Sequence, residues 1–135
     1  MALTNLKKIN QINIWHHQKD ALKAIGKYFD NYSDKSFLIK MPTGTGKTGV
    51  FATLTRVAES KMNFLIVTPS SALKEQIYSE IKIDFWKKLN IDLSVLSNHE
   101  IMTFLPSTFE NVFDNIKGNF IVVTTIQGLQ AIAKD

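Results

Sequence analysis

The string Met41-Pro42-Thr43-Gly44-Thr45-Gly46-Lys47-Thr48 constrains the fold of this chain more than any other feature. It follows the apolar, strand-like run Ser36–Ile39, and apolar residues recur after it at helical spacing, namely Val50, Phe51, Leu54 and Val57. Glycines at two positions let the backbone curl with its N–H groups pointing inward, which forms an anion-binding nest. The positive end of the following helix adds to the attraction for anions. The string therefore predicts a phosphate-binding loop between a buried strand and a helix.

The residues of this loop have separate predicted roles. Lys47 is expected to reach the β- and γ-phosphates of a nucleotide, and it is the predicted catalytic residue. The Thr48 hydroxyl is expected to ligate the Mg²⁺ that accompanies the nucleotide. The other loop residues expected to contact the nucleotide are Thr43, Gly44, Thr45 and Gly46. The alternative is a tight strand-to-helix turn with a chance lysine.

The loop departs from the general phosphate-loop pattern at its first position, where Met41 replaces a glycine. The remaining string, Pro42–Thr48, resembles the first motif of superfamily-two helicases and translocases. Three other segments occur in the order and at the spacing of that family, and together the four cover about Trp15 to Leu129. The resemblance implies a RecA-like phosphate-loop NTPase domain that uses ATP and Mg²⁺ and acts on nucleic acid.

The first of these segments, Trp15–Leu22, carries a glutamine on a helix face that should be buried. The residues on that stripe are Ile14, Gln18, Leu22, Ile25 and Phe29. A buried amide costs about 1–3 kcal/mol unless its groups are paired, and a carboxamide can pair with the N6 and N7 edge of adenine. Gln18 resembles the adenine-reading glutamine of these helicases, and it precedes Lys47 by 29 residues. The alternative is a glutamine satisfied by neighbouring backbone groups.

Two further segments place small polar residues where a strand ends and a helix begins. Leu65–Gln76 and Phe120–Leu129 resemble helicase motifs that contact the nucleic-acid backbone through hydroxyls and free helix N–H groups. The predicted nucleic-acid-binding residues are Pro69, Ser70, Ser71, Thr124 and Thr125. Serine and threonine also cap helices in the absence of any ligand, and that alternative stays open. Both strand ends are expected at the carboxyl edge of the sheet, beside the phosphate loop.

The remaining periodicity alternates between helix and strand. Predicted helices are Trp15–Phe29, Lys47–Glu59, Ser71–Lys88, a stretch within Glu100–Ile116 and a closing helix from Gln127. Pro106 is expected to interrupt the stretch within Glu100–Ile116, and a capping box of Ser107 and Glu110 is expected to restart it. Predicted strands are Ser36–Lys40, Asn63–Thr68, Leu93–Leu96 and Phe120–Thr124. The continuously apolar runs Phe64–Val67 and Phe120–Val123 indicate burial on both faces. The alternation predicts an α/β fold, a three-layer arrangement around a parallel sheet.

The helix predicted over Ser71–Lys88 carries two rows of large side chains. The expected core stripe is Leu73, Ile77, Ile81 and Phe85, and the row beside it is Tyr78, Lys82 and Trp86. Aromatic residues beside lysines can stack nucleic-acid bases. The favoured interpretation is that the second row covers the sheet or a neighbouring domain.

Length and composition fit one soluble globular domain. The chain has 135 residues, of which 44% are hydrophobic and 21% are charged. No apolar run approaches the roughly 20 residues of a membrane helix, and no secretory signal is visible, so no membrane contact is expected. The absence of cysteine excludes disulfides and thiolate metal sites. ATP dependence without a signal predicts a cytoplasmic, intracellular location, and the net charge of +4 suits a polyanionic partner.

The acidic motif of the helicase family is not found in this chain. That motif is a strand ending in Asp-Glu, which holds Mg²⁺ and positions the attacking water. Residues 1–135 are therefore interpreted as the N-terminal part of a first helicase motor domain, an incomplete domain whose partner is the second motor domain of the same parent chain. The parent is expected to be an ATPase, and the fragment alone is expected to be inactive.

The resemblance favours DNA over RNA as the partner. No proline stands directly before Gln18, and the loop reads Met-Pro-Thr-Gly-Thr-Gly, as in the restriction-enzyme and DNA-repair branch. The expected function is ATP binding within a DNA helicase or translocase. Alternatives are the motor subunit of a type I or type III restriction enzyme, which translocates without unwinding, and an RNA helicase. A small-molecule kinase would require a substrate lid and no Gln18-type helix, and a non-catalytic binding module describes the fragment taken alone.

Overall fold

The computed structural model describes residues 6–31, 36, 38–41, 44, 46–57, 63–103 and 120–133. Its helical elements are α1 (Leu6–Gln11), α2 (His16–Asn31), α3 (Lys47–Val57), α4 (Ser71–Ser79), a π-helical segment (Glu80–Asp84), α5 (Phe85–Lys88) and α6 (Ile126–Ala133). Its strands are β1 (Phe64–Thr68), β2 (Glu100–Met102) and β3 (Phe120–Thr125). Within these ranges the helices are too short or too polar to cross a membrane.

The three strands form a parallel sheet in the order β1–β3–β2. The central strand β3 is buried along its whole length, as its continuous apolar run predicts. Thr68 and Thr125 are aligned, so β1 and β3 end side by side. At the opposite end, the Phe120 N–H donates to Asn63 Oδ1 at 3.0 Å. The predicted mixed α/β fold with a parallel sheet is confirmed for these elements.

The prediction that β1 is buried on both faces is wrong. Phe64 and Ile66 pack against the core, whereas Leu65 is 50% exposed and Val67 is 42% exposed. β1 lies at an edge of the sheet, and its side chains alternate between the core and the outside. An apolar run alone does not distinguish an edge strand of this kind from a strand covered on both faces.

The strand predicted over Ser36–Lys40 is also not formed. Ser36 and residues 38–40 have no regular secondary structure, and Leu38 is 80% exposed. A strand needs a neighbour for its backbone hydrogen bonds. Because β1, β3 and β2 pair only with one another in the described sheet, the run has no strand partner there.

Two predicted elements after α5 differ from the structure. Leu93–Val95 is a single 3₁₀ turn rather than a strand, because the Asp92 side chain accepts a hydrogen bond from the Ser94 N–H at 2.9 Å and caps the turn. That backbone hydrogen bond also lowers the pKa of the Asp92 carboxyl. Glu100–Met102, at the start of the range within which a helical stretch was predicted, is strand β2. The predicted Pro106 interruption and the Ser107/Glu110 capping box lie outside the described residues.

A π turn changes the core stripe predicted for Ser71–Lys88. Ile81 and Trp86, five residues apart, are both fully buried, whereas Leu73 is exposed and Phe85 is only partly buried. The Phe85 N–H bonds to the Glu80 carbonyl, which is the i to i+5 pattern of a π-helix. Because the wider turn shifts the buried face by one residue, Trp86 replaces Phe85 in the core. Its indole Nε1 donates to the Ile81 carbonyl at 2.7 Å.

The core is formed mainly by α2, α3, the π-helical segment and β3. Its fully or almost fully buried members include Leu22, Ile25, Val50, Ile81, Trp86, Ile121 and Val123. Full burial of one large aliphatic side chain stabilises a fold by about 1.5–3 kcal/mol. This packing fixes α2 and α3 next to each other, which positions the residues at their N-terminal ends.

Arg56 connects α3 to two other segments inside this core. Its side chain is 9% exposed, and it donates to the carbonyls of Ile81 at 3.1 Å and Ser97 at 3.2 Å. The Ser97 N–H in turn donates to the Arg56 carbonyl at 2.8 Å. Burial lowers the pKa of the Arg56 guanidinium, but its ordinary pKa is so high that it remains charged at neutral pH. Arg56 therefore fastens the π-helical segment and the loop before β2 to the end of α3.

Candidate nucleotide site

The predicted phosphate loop leads directly into helix α3, as expected. Gly44 and Gly46 both have φ of +83°, a left-handed conformation that favours glycine. α3 begins at Lys47, and the Gly49 N–H donates to the Gly46 carbonyl at 3.0 Å. The loop positions Pro42, Thr43 and Thr45 lie outside the described residues. Both described glycines thus have the backbone conformation that a phosphate nest requires.

Gln18 joins α2 to this loop. Its side chain is 5% exposed, its Nε2 donates to the Gly46 carbonyl at 2.9 Å, and its Oε1 accepts from the Trp15 N–H at 2.8 Å. The predicted buried position of Gln18 is therefore confirmed. Both hydrogen bonds are to backbone groups, which is the alternative to adenine contact, and adenine contact itself stays a prediction. A Cβ atom on Gly46 or Gly49 would overlap Gln18 Nε2. Both glycines are thus needed for the amide to lie this close to the loop.

A cavity of about 320 Å³ opens beside this contact. Its walls come from the start of α2, from the loop and start of α3, and from the π-helical segment with α5. Lining residues include Trp15, Gln18, Gly46, Thr48, Glu80, Phe85 and Lys88. Small-molecule sites have volumes from about 300 Å³ upward and combine apolar walls with a few polar groups. The cavity meets that description.

The charged and hydroxyl residues of the loop are compatible with a nucleotide and Mg²⁺. Lys47 is exposed and makes no ion pair or hydrogen bond with the described residues, so its ammonium is free for a phosphate. The next residue, Thr48, lines the cavity. No cluster of three or more His, Asp or Glu side chains suited to a metal ion occurs in the described part of the chain. Thr48 therefore remains the predicted Mg²⁺ ligand, together with the phosphates themselves.

The first predicted nucleic-acid segment begins helix α4. Ser70 is its N-cap, and the Ser70 hydroxyl accepts from the Leu73 N–H at 3.2 Å. Pro69, Ser70 and Ser71 are all exposed. The helix-capping alternative is thus observed at Ser70, while the exposed position leaves this helix start accessible to a phosphate.

The second predicted segment is less accessible. Thr124 and Thr125 are both buried, and the Thr125 hydroxyl accepts from the Gly128 N–H at 3.0 Å, which caps α6. The Thr68 hydroxyl is within hydrogen-bonding distance of the Thr124 carbonyl at 3.2 Å. The two segments lie together at the carboxyl edge of the sheet, as predicted. The predicted place of the phosphate loop at that same edge depended on a Ser36–Lys40 strand, which is not formed.

Sequence reasoning did not identify the cavity wall formed by the π-helical segment and α5. Glu80, Phe85 and Lys88 belong to the π-helical segment and α5, and an ordinary helical period does not place them on one face. Trp15, which directly precedes α2, is exposed and lines the cavity. The ion pair of Glu80 with Lys88, eight residues later, reflects the wider turn, but it is known from the structure and not from the sequence.

Comparison with known proteins supplies a family for this site. Residues 11–135 match the family described as the type III restriction enzyme res subunit. No curated protein and no solved structure matches the chain. The matched range contains α2, the glycine loop and both strand-to-helix segments. The chain belongs to the family of the type III restriction enzyme res subunit, and it carries a helicase-like ATP-binding domain of superfamily two.

Proposed function

We propose that this chain binds ATP with Mg²⁺ and is the nucleotide-binding part of a restriction-type motor that uses ATP hydrolysis to move along DNA. The observation that carries the proposal is the hydrogen bond from Gln18 Nε2 to the Gly46 carbonyl. It brings a carboxamide suited to a base and a loop suited to phosphates to one cavity.

The loop would bind the phosphates by electrostatic attraction. Lys47 adds a free ammonium at the first position of α3, where the helix N-terminus already favours anions. The Thr48 hydroxyl would hold Mg²⁺ together with the phosphates. Bound ATP supplies the phosphoryl group for hydrolysis, and the residues of this chain bind and orient it.

Gln18 would read the base while it still holds the loop. A carboxamide has two N–H donors and two acceptor lone pairs. The contacts with Gly46 and Trp15 use one donor and one acceptor. One N–H and one lone pair remain, which are the groups needed to pair with adenine N7 and the adenine 6-amino group.

Contact with DNA would occur at the start of α4. Ser70 and Ser71 are exposed beside the free N–H groups of the first helical turn, an arrangement that suits a backbone phosphate. The family match to a restriction subunit favours translocation of the restriction type over unwinding. DNA is preferred to RNA for the same reason, and the parent enzyme would be an ATPase.

The substitution Gln18→Ala is expected to lower the preference for ATP over GTP. Each lost neutral hydrogen bond contributes about 0.5–1.5 kcal/mol, so the ratio of the two affinities should fall about tenfold, which corresponds to 1.4 kcal/mol. Isothermal titration calorimetry of the purified chain with each nucleotide measures the ratio. The exposed Gln76 on α4 provides the control, and Gln76→Ala should leave the ratio unchanged. If the wild-type chain binds ATP and GTP equally, Gln18 does not read the base.

A further inference from the structure

The π-helical segment and α5 form one wall of the cavity beside the glycine loop. Glu80, Phe85 and Lys88 line the same cavity as Gln18 and Thr48. π turns inside helices occur frequently at functional sites. The chemistry of Glu80, Phe85 and Lys88 indicates which ligand groups this wall could recognise.

The π turn brings an acidic and a basic side chain onto one face. Two α-helical turns take about seven residues, and the π turn adds one more, so residues eight apart are aligned. Lys88 Nζ accordingly lies 2.6 Å from Glu80 Oε1. The side chain of Glu80 is only 16% exposed, whereas that of Lys88 is 66% exposed. The pair therefore places a partly buried carboxylate at the cavity and its counter-ion nearer to solvent.

The second carboxylate oxygen of Glu80 remains available. Among the described residues, Lys88 is the partner of Oε1, and Oε2 accepts no hydrogen bond. A partly buried carboxylate oxygen favours a hydrogen-bond donor, because the donor compensates the free-energy cost of removing that oxygen from water. It disfavours an acceptor, since two acceptors at hydrogen-bonding distance repel each other.

Phe85 adds an apolar surface to the same cavity. Its ring packs against α3, since a Cβ on Gly49 would lie 2.9 Å from the ring. An edge contact with Trp86, with ring centroids 4.9 Å apart, holds the ring in place. An aromatic surface next to a hydrogen-bond acceptor suits a planar base that carries an amino group.

We infer that Glu80 is a second base-selecting residue, which accepts a hydrogen bond from the 6-amino group of a purine triphosphate. The inference rests on the proposed function, because it assigns the base end of the same site. The 6-amino group of adenine has two hydrogens, one on the N7 side and one on the N1 side. Gln18 takes the N7 side, and Glu80 takes the N1 side. Guanine would place its O6 acceptor against Glu80, so the carboxylate rejects GTP.

The test compares Glu80→Gln with Glu75→Gln in the purified chain. Glu75 is an exposed glutamate on α4 that pairs with Lys74 and does not line the cavity, so it is the matched control. The affinities for ATP and GTP are measured by calorimetry in the presence of Mg²⁺. A carboxamide can donate to guanine O6, so Glu80→Gln should weaken ATP, strengthen GTP and lower the ratio of affinities about tenfold, or 1.4 kcal/mol. The Glu75→Gln ratio should equal that of the wild type.

The possible outcomes separate this inference from the proposed function. If the wild type prefers ATP and Glu80→Gln keeps the same ratio, Glu80 does not select the base, although the proposed function stands. An equal loss of both nucleotides would also overturn the inference, because it would assign Glu80 a role toward the phosphates or the fold. A wild-type chain that binds neither nucleotide would overturn the proposed function and this inference together. If circular dichroism shows that Glu80→Gln is misfolded, Glu80→Ser removes the carboxylate in a second way and should also lower the ratio, through the loss of ATP affinity; an unchanged ratio would overturn the inference.

Discussion

Replacement of Lys47 by alanine is expected to weaken ATP binding about tenfold to a hundredfold. Lys47 is the first residue of α3, and its exposed side chain makes no contact that contributes to the described fold. Hydrogen bonds between a charged donor and a phosphate contribute about 1.5–3 kcal/mol, and 1.4 kcal/mol corresponds to a factor of ten. Because Lys47 is exposed and makes no hydrogen bond or ion pair with the described residues, the effect is expected in affinity and not in stability. Calorimetry with ATP and Mg²⁺ measures it.

The control for Lys47→Ala is the same substitution at another exposed lysine on a helix. Lys23 lies on α2, away from the cavity, and Lys23→Ala should bind ATP as the wild type does. A Lys47→Ala chain that is folded and binds ATP with unchanged affinity would remove the phosphate-loop assignment.

Replacement of Arg56 by alanine is expected to lower the free energy of unfolding by about 2–4 kcal/mol. The guanidinium donates to the carbonyls of Ile81 and Ser97 from a buried position. Hydrogen bonds to charged groups contribute about 1.5–3 kcal/mol, and a buried carbonyl left without a partner adds a cost of its own. The Ile81 carbonyl keeps its bond from Trp86, so the main loss is expected at Ser97. Urea denaturation followed by tryptophan fluorescence measures the change.

Lys87 provides the comparison for Arg56. It is an exposed cation on α5, beside the same π-helical segment, and Lys87→Ala should change stability by less than about 0.5 kcal/mol. If Arg56→Ala is as stable as Lys87→Ala, the guanidinium does not hold these segments together. Arg56→Lys should recover only part of the loss, because one ammonium lacks the rigid fork of a guanidinium.

The elements predicted correctly from sequence are those in which the local residue pattern and the tertiary contacts favour the same structure. β3 is buried throughout and its first four residues are apolar, and the glycine loop enters a helix at Lys47 as its spacing indicates. Ser36–Lys40 has the same apolar character as β3, yet no described strand lies beside it. Strand formation depends on such a neighbour, and composition cannot supply that information.

The candidate site was predictable in part. The glycines, Lys47 and the buried Gln18 follow from motif and helical period. The wall formed by Glu80 and Phe85 does not, because a single π turn shifts the face that the period assigns. That turn coincides with donors from Arg56 and Trp86, both bound to the Ile81 carbonyl. The Arg56 contact joins residues 25 apart in sequence, which a local pattern does not contain.

The nuclear magnetic resonance spectrum of the ¹⁵N-labelled chain, titrated with ATP and Mg²⁺, tests the central claim most directly. Binding at the proposed site should shift the backbone amides of Gly44, Gly46 and Lys47 and the side-chain amide of Gln18. Inorganic triphosphate should shift the amide resonances of the loop most. It should leave the amide resonance of Phe85 close to its position in the spectrum of the chain without ligand. Shifts confined to a different region, such as the cavity lined by Ile12, Val57 and Leu96, or no shifts at all, would contradict an ATP site at this loop.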